Sequence, residues 1–197
     1  PLTLDAEGGA DFARAVEVGN AVEAVAMGTP DDTYEPAEEL PYYNDEFEPQ
    51  RLLLARVEGE IVARGMYHTQ CGEGADSAWL NVQVLPEFTG RGIGRALFDG
   101  VEAMACADGK AKAIAYHAAV PQPGPQLIPA TGAGSLPAEH RTARLLQARG
   151  YTFEQVERVS RLPLPVAGLD ELLAQAVSNS GPDYVVHTWQ NRCPERW

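Results

Sequence analysis

Three glycines at a spacing of two, Gly90, Gly92 and Gly94, interleave with Arg91, Ile93 and Arg95. Without Cβ atoms, glycines let an anion approach the backbone closely. Ile93, Leu97, Val101 and Met104 follow at helical spacing, so a helix opens inside the glycine run and Asp108-Gly109-Lys110 reads as its stop. A helix start presents free N–H groups and the positive end of the helix dipole, and two arginines add charge there. Together these residues make a seat for phosphate, most simply the pyrophosphate of a nucleotide-like cofactor.

The spacing narrows the choice of cofactor. A dinucleotide fold needs Gly-x-Gly-x-x-Gly and an acidic residue about 20 residues on, whereas here Lys110-Ala111-Lys112 fills that later region. A P-loop needs Gly-Lys-Ser/Thr, which the sequence lacks. Upstream, Leu80, Val82 and Val84 alternate with Asn81 and Gln83 as in a half-buried strand, and Pro86 ends it. The order strand, Val84-Leu85-Pro86, then Gly92-Ile93-Gly94 opening a helix resembles the acyl-CoA loop of the GNAT superfamily of N-acetyltransferases. Thr89 departs from that pattern, standing where the family usually has Gln or Arg. The resemblance implies acetyl-CoA as cofactor, held by Val82, Gln83 and Val84 along its pantetheine arm and by Gly90, Arg91, Gly92, Ile93, Gly94 and Arg95 at its pyrophosphate.

The same resemblance implies direct acetyl transfer to a primary amine. A backbone N–H near Val84 would meet the oxyanion, and none of Cys71, Cys106 and Cys193 is needed as a nucleophile. Two acid–base positions familiar in the family hold Leu146 and Ala78, which move no proton. Candidate catalytic residues are therefore Tyr116 and His117, with Glu46 and Glu48 as further carboxylates. If 116 and 117 lie in one strand, they point to opposite faces, so one of them at most faces the acyl group. The stretch 31–50 carries eight carboxylates interleaved with Tyr34, Tyr42, Tyr43 and Phe47. It reads either as a solvated loop or as a pocket for a cationic amine, attracted by carboxylates and held by aromatic faces.

These groups need a frame. The sequence predicts a short strand at 1–5, a helix over 10–27, a hairpin of 51–57 and 60–69 about Glu58-Gly59, and the strand 78–85. After the cofactor helix it predicts a strand over 111–120, an irregular Pro/Gly-rich connection, and a helix capped by Ser135 and ending at Gly150. A strand over 151–162, a helix through Leu169, Leu172, Leu173 and Ala176, and a strand at 184–189 complete the pattern. The fold expected is mixed α/β (α+β), a mostly antiparallel central sheet flanked by helices, as in GNAT proteins. Residues 1–165 form the acetyltransferase domain in this reading, and 166–197 a linker helix and strand. That tail, with Trp189-Gln190-Asn191-Arg192-Cys193-Pro194, resembles the bridge into the second domain of actinobacterial tandem GNAT proteins. The alternatives this raises are a non-catalytic acyl-CoA-binding domain supporting a second domain, and an acetyltransferase like mycothiol synthase.

Composition bounds the partners. Hydrophobic residues make up 45% of the 197, enough for the core of one α/β domain. The net charge of −13 argues against nucleic acid and anionic membranes and suits a cationic substrate. Three cysteines without metal-ligand spacing predict no metal site and a reduced, cytoplasmic setting. The chain opens on Pro1, without a secretory pattern, and no stretch approaches a membrane span. A homodimer or a second GNAT domain is the expected partner besides the amine.

Overall fold

Period-two alternation over residues 50–84 becomes three antiparallel strands, β1 (Gln50–Val57), β2 (Glu60–Thr69) and β3 (Ser77–Val84). Glu58 and Gly59, both at positive φ, make the tight turn between β1 and β2. A fourth strand, β4 (Lys112–Ala115), lies parallel to β3, giving the order β1-β2-β3-β4. The computed structural model describes residues 2–72 and 75–195. It divides into two compact units, Pro1–Val156 and Glu157–Trp197.

In the first unit one helix lies against each face of the sheet. Helix α1 (Gly9–Met27) buries Phe12, Ala15, Val16, Val18 and Val22 and ends at Gly28 in the left-handed region. It meets β2 on the side of Arg64, since a Cβ at Gly19 would collide with that guanidinium. The short helix α2 (Pro36–Tyr43) follows, with a capping box between Glu35 and Glu38. Helix α3 (Ile93–Ala107) packs on the opposite face, where a Cβ at Gly65 would lie 3.2 Å from Val101. Tyr67, Leu80, Phe98 and Val101 form the core beneath α3. Val18, Val22, Ile61, Val62 and Leu97 form an adjoining cluster. The mixed, mostly antiparallel sheet flanked by helices is the architecture the sequence implies.

Several local expectations fail for identifiable reasons. Residues 2–5 turn instead of forming a strand, because both backbone groups of Leu2 are taken by the side chain of Asn44; Pro1 lies outside the described residues. The acidic stretch contains α2 rather than only loop. The strand at 111–120 is cut to Lys112–Ala115, since its neighbour β3 diverges beyond Leu80. Leu136–Pro137 (β6) pairs with Gln126–Leu127 (β5), so the next helix, α4 (Arg141–Ala148), starts late and is capped by His140, not Ser135. Its end at Arg149-Gly150, with Gly150 at φ 89°, follows the sequence. Residues 151–162 form no strand. Phe153 and Glu154 accept from Ala130 and Thr131, but that neighbour turns back on itself as Gly132 donates to Pro129.

The second unit holds helix α5 (Leu169–Ser180), which ends at Gly181 as its sequence predicts. Tyr184–Trp189 does not form a strand and all six residues are exposed; no ladder partner stands beside them among the described residues. No helix among the described residues is long and apolar enough to cross a membrane.

Candidate active site

The site begins where the sheet comes apart. Strands β3 and β4 pair from Ser77–Lys112 to Leu80–Ala115 and no further, while β3 runs on to Val84. Its other edge stays paired with β2, and Leu85 N–H donates to Val62 O at 3.0 Å. Backbone direction alternates along a ladder, so the N–H groups of Val82 and Val84 point away from β2, into the gap. Side chains alternate too. Leu80, Val82 and Val84 line a cavity of about 890 Å³ that is bordered by the start of α3 and by Val22, Val25 and Ala26 of α1. Asn81 and Gln83, whose side chains point the other way, line a second cavity of about 230 Å³. Tyr116, the first residue beyond β4, lines both.

The glycine loop forms the far end of the larger cavity. Gly90 and Gly92 sit at φ 76° and 84°, a backbone that side chains resist. Gly92 is the N-cap of α3, no side chain caps the helix, and a Cβ at 92 would meet nothing within 4 Å. The amides of Ile93, Gly94 and Arg95 lack intrahelical partners by geometry, so this turn fits a diphosphate. Gly90, Gly92, Gly94 and Arg95 line the cavity. Arg141 of α4 reaches the same loop, its Nη1 donating to Thr89 Oγ1 at 3.1 Å.

Other expected residues lie elsewhere. Arg91 folds back, donating to Glu87 O at 3.1 Å and covering the Phe88 ring. Ile93 packs on the hydrophobic cluster under α1. Gln83 turns its side chain to the smaller cavity and accepts from Arg64 Nε at 2.7 Å. Glu46 is exposed, and Glu48 is 3.5 Å from His68 Nε2, away from both cavities. Ala78 is fully buried, and Leu146 lines the larger cavity without a polar atom to offer.

Tyr116 and His117 do not split between the faces, because β4 has already ended; both line the larger cavity. The His117 ring lies 5.2 Å from that of His140. Burial, then the neighbouring His140, pushes the His117 imidazole down to about 4, so it is neutral at pH 7. Tyr116 is 57% exposed, but desolvation about its hydroxyl, then the Glu23 carboxylate, pushes the phenol up, against smaller opposing effects of Arg64 and Asn81. Its proton stays on at neutral pH.

The smaller cavity is acidic and aromatic. Glu23, Asp32 and Glu39 line it with Tyr34, Tyr42 and Tyr43, against a single cation, Arg64. Arg64 Nη1 pairs with Glu39 Oε2 at 3.1 Å, and Gln83 Nε2 donates to Glu23 Oε2 at 3.0 Å. Sequence reasoning singled out residues 31–50 but missed Glu23, Arg64, Asn81 and Arg141. Glu23 carried a signal, a lone carboxylate near the end of an apolar helix; the other three come together only through long-range contacts.

The profile of the Acetyltransferase (GNAT) family matches residues 22–123. Several solved structures share the fold. The GNAT domain of S. lividans PAT is 19% identical over 76% of this chain and 80% of that one, with a TM-score of 0.53. Salmonella typhimurium yncA, solved with its cofactor acetyl-CoA, is 20% identical over 73% and 75%, TM-score 0.51. An aminoglycoside acetyltransferase from an uncultured soil metagenomic sample, solved with sisomicin, is 12% identical over 78% and 91%, TM-score 0.54. At these identities the likeness is one of fold. None of the curated proteins compared with the sequence matches it.

Proposed function

The chain belongs to the acetyltransferase (GNAT) family, and from that premise we propose that it moves the acetyl group of acetyl-CoA onto a cationic primary amine by direct attack. The observation that carries this reading is the pair of cavities beside the point where β3 and β4 part, both lined by Tyr116. Transfer between two substrates needs both ligands to reach one point.

Acetyl-CoA supplies the activated acetyl thioester. The amides of Ile93, Gly94 and Arg95, with the Arg95 and Arg141 side chains beside them, hold its diphosphate. The backbone of Val82 and Val84 pairs with the pantetheine arm as a strand would. One of these two N–H groups then donates to the thioester oxygen as negative charge builds there. Tyr116 keeps its proton at neutral pH and gives it to the departing sulfur. His117, neutral and desolvated, shapes the cavity wall. In the smaller cavity, Glu23, Asp32 and Glu39 outnumber Arg64, and the rings of Tyr34 and Tyr42 offer faces to a cation.

The test is thiol release from acetyl-CoA over a panel of primary amines, run beside calorimetry with acetyl-CoA alone. Micromolar binding and amine-dependent release are expected. A wild-type chain that gives no binding heat and no thermal shift with acetyl-CoA would overturn the reading.

A further inference from the structure

Asn81 is 5% exposed, yet its Oδ1 has no hydrogen-bond partner among the described residues. The orientation of this amide is fixed by its other end. Nδ2 donates at 3.1 Å to the backbone oxygen of Tyr116, a group that can only accept, so the carbonyl is the free end. A buried acceptor without a donor costs stability, and native proteins keep few of them. This one lies on the wall of the smaller cavity, at the first residue of β3 beyond its last pair with β4.

Glu23 lines the same cavity. Gln83 Nε2 fixes one of its oxygens at 3.0 Å, and no cation pairs with it among the described residues. Glu39, by contrast, is already neutralised by Arg64. An orphaned carbonyl and an unneutralised carboxylate thus border one small space, next to the open N–H of Val82. The ligand that satisfies both is a positively charged group with at least two N–H donors.

Resting on the acyl-transfer reading, we propose that Asn81 Oδ1 and the Glu23 carboxylate together seat the nitrogen of a primary alkylammonium acceptor. Glu23 takes one proton from the ammonium and becomes a carboxylic acid, leaving a lone pair on nitrogen. Asn81 Oδ1 holds a remaining N–H and so turns that lone pair toward the gap. The C–N bond forms as the C–S bond breaks, and the sulfur takes the Tyr116 proton. The second nitrogen proton restores the Tyr116 hydroxyl, and Glu23 returns its proton to solvent, so the turnover yields amide, thiol and one proton. The seat excludes tertiary amines and alcohols, which lack either the charge or the N–H groups.

The full chain is assayed with acetyl-CoA and n-butylamine as probe. Asn81→Leu should lower kcat/KM for the amine about 100-fold and Glu23→Gln about 30-fold. Glu23→Asp should regain part of the loss, and acetyl-CoA affinity should stay within about twofold in all three. Unchanged kcat/KM in both Asn81→Leu and Glu23→Gln overturns the seat while leaving acyl transfer intact. Should Asn81→Leu fail to fold, wild-type crystals holding coenzyme A and n-butylamine decide. Nitrogen density about 3 Å from Asn81 Oδ1 is expected, and amine density elsewhere, or none, overturns the seat. Failure of the wild-type chain to bind acetyl-CoA at all overturns the acyl-transfer reading instead.

Discussion

Arg64 of β2 and Glu39 of α2 form an ion pair at 3.1 Å with side chains only 6% and 13% exposed. The same guanidinium donates to Gln83 on β3, so one cation ties the acidic helix to the central sheet. Removing it leaves Glu39 charged and poorly solvated. Arg64→Met should cost about 3–5 kcal/mol by urea unfolding, and the double variant Arg64→Met/Glu39→Leu should cost less than Arg64→Met alone. Equal stability of Arg64→Met and wild type would show that the pair is solvated in practice.

The left-handed N-cap of α3 makes a second point of attack. Gly92→Glu puts a strained residue and a negative charge where uncapped amides face the large cavity. Acetyl-CoA affinity should fall at least about 100-fold, ~2.7 kcal/mol, by calorimetry. Because nothing lies within 4 Å of a Cβ there, the fold itself should lose only about 1–2 kcal/mol to backbone strain. Wild-type affinity in this variant would move the diphosphate elsewhere.

Tyr116 and His117 differ in what they can do with a proton. Tyr116→Phe should lower kcat about 100-fold with acetyl-CoA affinity unchanged. His117→Asn should leave kcat within about threefold, since a group depressed to about 4 is a weak base. The reverse ranking in stopped-flow turnover would exchange their roles.

Acid stability provides a separate check on His117. Its folded value of about 4 lies below the ordinary 6.5, so between those values the unfolded chain holds a proton that the folded chain refuses. Stability from this group is fully present above pH 6.5 and is lost as pH falls toward 4, by up to about 3 kcal/mol. His117→Asn should flatten the fall in unfolding free energy between pH 7 and pH 5 relative to wild type. Parallel curves for the two proteins would mean that His117 is solvated.

What the sequence made legible was local. The glycine run, the hairpin about Glu58-Gly59 and the cofactor helix each rest on contacts a few residues apart, and the structure has them within a residue or two. Strand length was not local. Tyr116 continues the alternation that begins at Lys112, but the ladder ends at Ala115 because its partner strand leaves. Phe153 and Val156 also read as strand residues, yet residues 151–156 form no ladder among the described residues. The acidic pocket was half visible. Its tyrosines and Glu39 stand in one run, while Glu23, Arg64 and Asn81 join from three other elements that only tertiary packing brings near. The orphaned oxygen of Asn81 has no sequence signature.

The parting of β3 from β4 also bears on how a coenzyme would arrive. No ladder hydrogen bond between β3 and β4 has to be pried apart, because the pairing stops at Leu80 and Ala115. A pantetheine arm laid there would serve as a removable strand of a sheet left incomplete by construction. Its capture would then be paced by diffusion and loop collisions, with the sheet already shaped for it.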